Sequence, residues 1–142
     1  MEIRFVNEAK AQSVAVMAGD GASLTPAGTM LDGKLNGALV RAMAASRFTG
    51  AIGQVVEVLG ASPECARALV IGCGALDRLD PLTVERFAAH AIKRTAVSGA
   101  DRLALFPEAI GGGTAAEAAA RAAMGARRAA SRVDRYRTRM KP

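Results

Sequence analysis

Four groups of residues in this chain have types and spacing suited to chemistry. In "LVIGCGALDRLDP" (Leu69–Pro81) an apolar run ends in Gly72-x-Gly74, and Asp77 and Asp80 follow. Gly111, Gly112, Gly113 and Thr114 precede a helix start. His90, the only histidine, stands among Arg86, Lys93 and Arg94. The last 18 residues carry Arg127, Arg128, Arg132, Arg135, Arg137, Arg139 and Lys141 against Asp134 alone. These point, in turn, to a phosphate cradle, an anion site, acid–base catalysis and nucleic-acid contact.

The residue types narrow each reading. A dinucleotide fingerprint needs a third glycine three positions after the second and a helix opening there at once. Here that position is Asp77, and the helix begins only at Asp80–Pro81. Both carboxylates would repel a phosphate, so Gly72 and Gly74 read as a strand exit with unusual backbone angles. The Gly111–Thr114 loop has a helix N-terminus behind it, which suits anions. It lacks the lysine of a P-loop and carries Glu117 in the first turn, so it reads first as a surface loop. His90 lies away from the apolar stripe of its helix and reads as a solvated surface histidine; triad chemistry needs an oriented partner. Asp77, Asp80 and Glu85 are explained by capping and solvation. Cys65 and Cys73 form no Cys-x-x-Cys pair, and with one histidine the chain lacks the ligands of a zinc site. They read as reduced, buried thiols. The basic tail offers phosphate contacts but only Tyr136 for base stacking. A linker helix that packs on an acidic surface is the other reading of the tail. No residue is therefore assigned a catalytic, metal-binding or cofactor-binding role.

The elements that must position these residues follow from local patterns. "EIRFV" (Glu2–Val6) alternates as a half-buried strand, and Ser13–Ala18 is a buried one. Thr25 and Pro26 cap and start a helix, with Leu31, Leu35, Leu39 and Met43 along one face. Gly53–Gly60 and Ala66–Gly72 read as an antiparallel pair. Asp80 and Pro81 open the clearest helix, whose inner stripe is Val84, Phe87, Ala88, Ala91, Ile92 and Thr95, and Gly99 closes it. Asp101–Pro107 is a short strand. Thr114 and Glu117 fit a capping box for an Ala-rich helix, with Glu117 and Arg121 paired one turn apart. The order β-β-α-β-β-α-β-α implies an α/β or α+β domain with one mixed sheet and helices on its faces.

Composition sets the outer bounds. The chain has 142 residues, 51% of them hydrophobic and 4% aromatic, so a single aliphatic core is expected. The net charge of +6 resides in residues 125–142, because residues 1–124 balance. There is no basic-then-apolar leader at the start, and no uncharged apolar run of about 18 residues that a membrane span needs.

Taken together, the pieces resemble the N-terminal domain of the cytosolic leucyl aminopeptidase family (peptidase family M17). The matching stretches are "LTPAGTMLDGKLNGALVRAMAASRFTGAIGQ", "ALVIGCGALDRLD" and "RVDRYRT". In the family's closing helix two aromatic positions correspond to Ser131 and Val133 here, so that aromatic packing is lost or replaced. The resemblance implies a three-layer αβα fold with a mixed sheet, similar to macro domains. It implies a globular accessory domain over residues 1–124 and a basic helix or linker over 125–142, leading to a catalytic domain. The parent would be a cytoplasmic homohexameric metalloaminopeptidase, with two divalent metals, zinc or manganese, bound outside this sequence. The signature Asn-Thr-Asp-Ala-Glu-Gly is absent, so this chain alone is expected to be inactive and to hold no cofactor. The alternative is a nucleic-acid-binding module acting through the basic tail; an ADP-ribose-like ligand follows only by analogy with macro domains.

Overall fold

The computed structural model describes residues 12–96, 102–108 and 113–140, with the backbone alone for 132–140. The strand expected at Glu2–Val6, the stop at Gly99, and Gly111–Gly112 lie outside the described residues.

Strand β1 (Ser13–Gly19) is buried along its whole length, as its uninterrupted small apolar sequence dictates. It forms the centre of the sheet. Strand β4 (Cys65–Gly72) lies parallel to it on one side, in register Ser13↔Arg67 to Ala18↔Gly72. Strand β5 (Leu103–Phe106) lies parallel on the other side. Strand β3 (Val55–Ser62) joins β4 antiparallel, and Pro63 and Glu64 alone connect the two. The short β2 (Ser23–Leu24), unmarked in the sequence pattern, pairs antiparallel with the end of β1. The sheet is therefore mixed, as the hairpin requires.

Alternation along β1 divides the core. Ala15 and Met17 face helices α3 (Pro81–Ala96) and α4 (Ala115–Met140), together with Leu69 and Ile71 of β4. Val14, Val16 and Ala18 face Leu35, Leu39 and Met43 on the opposite side. This gives three layers, helices on both faces of one sheet. No helix among the described residues is long and apolar enough to cross a membrane.

The helix expected from Thr25 onward is in fact two: α1 (Pro26–Lys34) and α2 (Ala38–Ala45). Thr25 caps α1, its hydroxyl accepting from the Gly28 amide at 3.2 Å. The chain then turns at Asn36, in the left-handed region at φ 56°. Gly37 N–H donates to Asp32 O at 2.8 Å and Asn36 N–H to Gly33 O at 3.3 Å, the paired bonds of a Schellman stop. Asp32 Oδ1 then accepts from Leu39 and Val40 amides at 2.9 and 3.1 Å, so a side chain of α1 caps α2. The apolar spacing survives the break: Leu35, Leu39 and Met43 are all buried.

Helix α3 matches its expected stripe, with Val84, Phe87, Ala88, Ala91, Ile92 and Thr95 buried. Helix α4 runs without interruption through residue 125, the division expected between globular part and linker. Ala118, Ala122, Ala126 and Ala129 are buried along one side of it. Gly125 lies so close to α3 that a Cβ there would fall 2.7 Å from Glu85 Cα. Glu117 and Arg121 are both exposed, and they are not among the ion pairs that the described residues form.

Candidate functional site

In open α/β sheets, ligands bind outside the carboxyl ends of parallel strands, where successive connections leave for opposite faces. Here β1 leads to the α1–α2 layer and β4 leads to α3 in the other layer. The candidate crevice is therefore at the ends of β1 and β4, at Gly19 and Gly72.

Three backbone segments meet there and fill it. Cys73 N–H donates to Ala18 O at 2.9 Å, Asp20 N–H to Gly74 O at 2.9 Å, and Gly74 N–H to Gly50 O at 2.9 Å. Gly72 N–H donates to Gln54 O at 2.7 Å, and Gly53 N–H returns to Gly72 O at 3.2 Å. The amides that would cradle a phosphate are thus spent on the chain itself. The approach is as close as backbone allows. A Cβ at Gly72 would collide with Ala51 O and lie 2.9 Å from Gly50 C; one at Gly50 would collide with Gly19 O. Gly74 alone needs the positive φ (72°) expected at a strand exit; Gly72 is there because nothing larger fits.

The segment that seals the crevice, Thr49–Gln54, is held by one side chain. Gln54 Oε1 accepts from the Thr49 amide and hydroxyl at 2.9 and 3.0 Å, and from the Gly50 and Ala51 amides at 3.0 and 3.2 Å. Consecutive amides converging on one oxygen make a nest of the kind that elsewhere holds anions. Here a neutral carboxamide occupies it. The sequence pattern places Gly53 and Gln54 at the start of a strand that in fact begins at Val55, and the sealing role of the segment was not read, although two glycines three apart and a following Gln were the visible signal.

The other candidates settle individually. Asp80 Oδ1 accepts from the Thr83 amide at 2.7 Å and hydroxyl at 2.9 Å. Those bonds hold its carboxyl below the usual range, with Arg86 adding to the effect. It is a cap, as expected, while Asp77 is exposed on the short 3-10 turn Leu76–Arg78. His90 corrects the expectation of a solvated side chain: it is half-buried, with Nε2 beside Gly53. Burial lowers its pKa first, and the charges of Lys93, Arg94 and Arg86 lower it further. Among the described residues no carboxylate is one of the groups that shift it. Cys65 and Cys73 are both free and buried. Burial pushes the Cys73 thiol up to about 12 and raises that of Cys65, opposed by a hydrogen bond with the Arg67 backbone; neither is a ready nucleophile. Thr114 Oγ1 accepts from the Glu117 amide at 3.1 Å, capping α4. Among the described residues no three His, Cys, Asp or Glu side chains converge to hold a metal ion. The side chains of the tail from Arg132 onward lie outside those described.

Comparison with known proteins fits this geometry. Residues 14–140 match the model of the cytosol aminopeptidase family, N-terminal domain. The chain is 41% identical over 127 residues to a probable cytosol aminopeptidase of Caulobacter vibrioides, covering 89% of this chain and 25% of that protein. A solved structure of a tomato leucine aminopeptidase mutant superposes with a TM-score of 0.64 at 22% identity, covering 88% of this chain and 26% of that one. That likeness speaks to the fold. The chain spans about a quarter of the length of each.

Proposed function

The chain belongs to the cytosol aminopeptidase family, as its N-terminal domain, and we propose that it is a non-catalytic accessory domain that shapes active-site access and supports assembly. The observation that carries this reading is the sealed crevice at the ends of β1 and β4. The place where this fold class holds ligands is occupied by Gly50–Gly53 backbone, bonded to Gly72 and Gly74. A domain built this way contributes surfaces rather than a site of its own.

On this reading the parent is a cytoplasmic metalloaminopeptidase that removes N-terminal amino acids from peptides. Its two divalent metals, zinc or manganese, would be held by a catalytic domain outside this sequence, as the family membership suggests. Helix α4, continuous to Met140, is the connector, and the parent assembles as a homohexamer.

Purified chain is expected to fold yet leave leucine anilide substrates intact with Mn²⁺ or Zn²⁺, whereas the full-length gene product hydrolyses them. Removing residues 1–131 from that product is expected to change its size in light scattering or its KM for longer peptides. Turnover by the chain itself, or a truncated enzyme unchanged in both respects, refutes the assignment.

A further inference from the structure

The outer side of the α3–α4 crossing has the anatomy of a protein-binding surface. Gly125 brings α4 against the backbone of Glu85, so residues within a turn of that point are neighbours. On α4 these are Arg121, Met124 and Arg128, spaced three and four apart and thus on one face. On α3 they are Leu82 and Arg86. Arg128 Nη1 reaches Glu85 Oε1 at 3.7 Å across the crossing, with the Arg128 side chain 62% exposed. Met124 and Leu82 are 37% and 49% exposed.

Charge is segregated onto this layer. Helices α3 and α4 expose Arg86, Lys93, Arg94, Arg121, Arg127 and Arg128, while their described acidic residues are Glu85 and Glu117 alone. Apart from Arg128, none of these cations has an ion-pair partner among the described residues. The other helical layer carries Asp32, Lys34 and Arg41. The linear sequence hides this, because charges balance over residues 1–124. A surface for nucleic-acid phosphates needs only the cations. An apolar centre of Leu82 and Met124 between arginines matches protein interfaces, in which Arg and Met are enriched and a few desolvated side chains carry the energy.

We propose that this surface docks an acidic, apolar-centred face of the catalytic remainder of the parent polypeptide. The inference rests on the accessory-domain reading above. Charge complementarity selects an acidic partner. The matched stretch is about a quarter of each relative's length, and α4, which carries three of the five patch residues, ends the matched region at residue 140.

Methionine oxidation by hydrogen peroxide tests it, with Met30 (68% exposed, on α1) as the internal reference. Both should oxidise in this chain. In the full-length gene product Met124 should slow by about five-fold or more while Met30 keeps its rate, because sulfoxide formation follows exposure. Arg121→Glu with Arg128→Glu should restore Met124 reactivity there, with the circular-dichroism melt of the short chain confirming its fold. Equal Met124 rates in the two proteins overturn the proposal. So does slowing of Met30 alone, or protection of Met124 by duplex DNA but not by the remainder of the polypeptide. Aminopeptidase activity of the same preparation separates the two readings. An active enzyme with unprotected Met124 rejects only this surface; protected Met124 in an inactive product supports it and rejects the activity.

Discussion

Replacing Gly125 by Ala sets two principles against each other. In the middle of a helix, Gly→Ala is worth about 1 kcal/mol in favour of folding. Gly125 lies inside α4, so helix propensity predicts a gain. The packing predicts a loss. The new methyl would overlap Glu85 O and sit 2.7 Å from Glu85 C and Cα. All three are helix backbone of α3 and cannot swing aside. Relief requires the two helices to separate, which loosens Ala122, Ala126 and Ala129 against Val84 and Ala88. Overpacking of this kind costs about 1–3 kcal/mol, and a clash with backbone belongs at the upper end. The net is a destabilisation of about 2 kcal/mol, which for a chain of this size lowers Tm by about 8 °C. Urea and thermal unfolding followed by circular dichroism read this directly. Gly33, in α1, is the matched control: a Cβ there meets nothing within 4 Å, so Gly33→Ala should raise stability by up to about 1 kcal/mol. Gly125→Ala as stable as wild type, or more so, would refute the close approach of α4 to α3.

Other tests address the crevice and the buried groups. Gly72→Ala should cost about 3 kcal/mol or more, since its methyl meets the Ala51 carbonyl and displaces the Thr49–Gln54 segment; a variant with unchanged urea midpoint contradicts the sealed crevice. His90 titrates below its ordinary value of 6.5 in the folded state, so the unfolded chain binds the proton first. Stability is then full above pH 6.5 and falls as pH drops toward the folded value. His90→Gln should flatten that part of the profile, and a wild-type curve with no fall between pH 7.5 and 5 goes against the placement of His90. Both thiols should resist Ellman's reagent at pH 8 in the native protein and react fully in 6 M guanidinium chloride, because burial raises their pKa values. Rapid labelling of the folded chain would exclude it.

Much of this protein is written in local sequence because the forces involved are local. A side-chain cap needs only three or four neighbouring residues, so Thr25, Asp80 and Thr114 all act as their positions require. A helix stripe needs only periodicity, so the buried face of α3 was legible apart from Thr83, which its bonds to Asp80 fold in at the cap. The paired strands β3 and β4, and the family resemblance later matched over residues 14–140, were equally readable. Tertiary structure decided what depends on chain segments distant in sequence. Leu31, Leu35, Leu39 and Met43 keep helical spacing, yet the chain breaks at Asn36 because Asp32 can cap a second helix across the turn. Gly72 reads as conformational freedom until Ala51 is seen to occupy the space of its missing side chain. Arg86 and Arg121 belong to a balanced stretch of sequence, and only the crossing at Gly125 gathers them around Leu82 and Met124. Caps and stripes are short-range and can be read along the chain; steric exclusion and surface charge exist only once remote segments share a place.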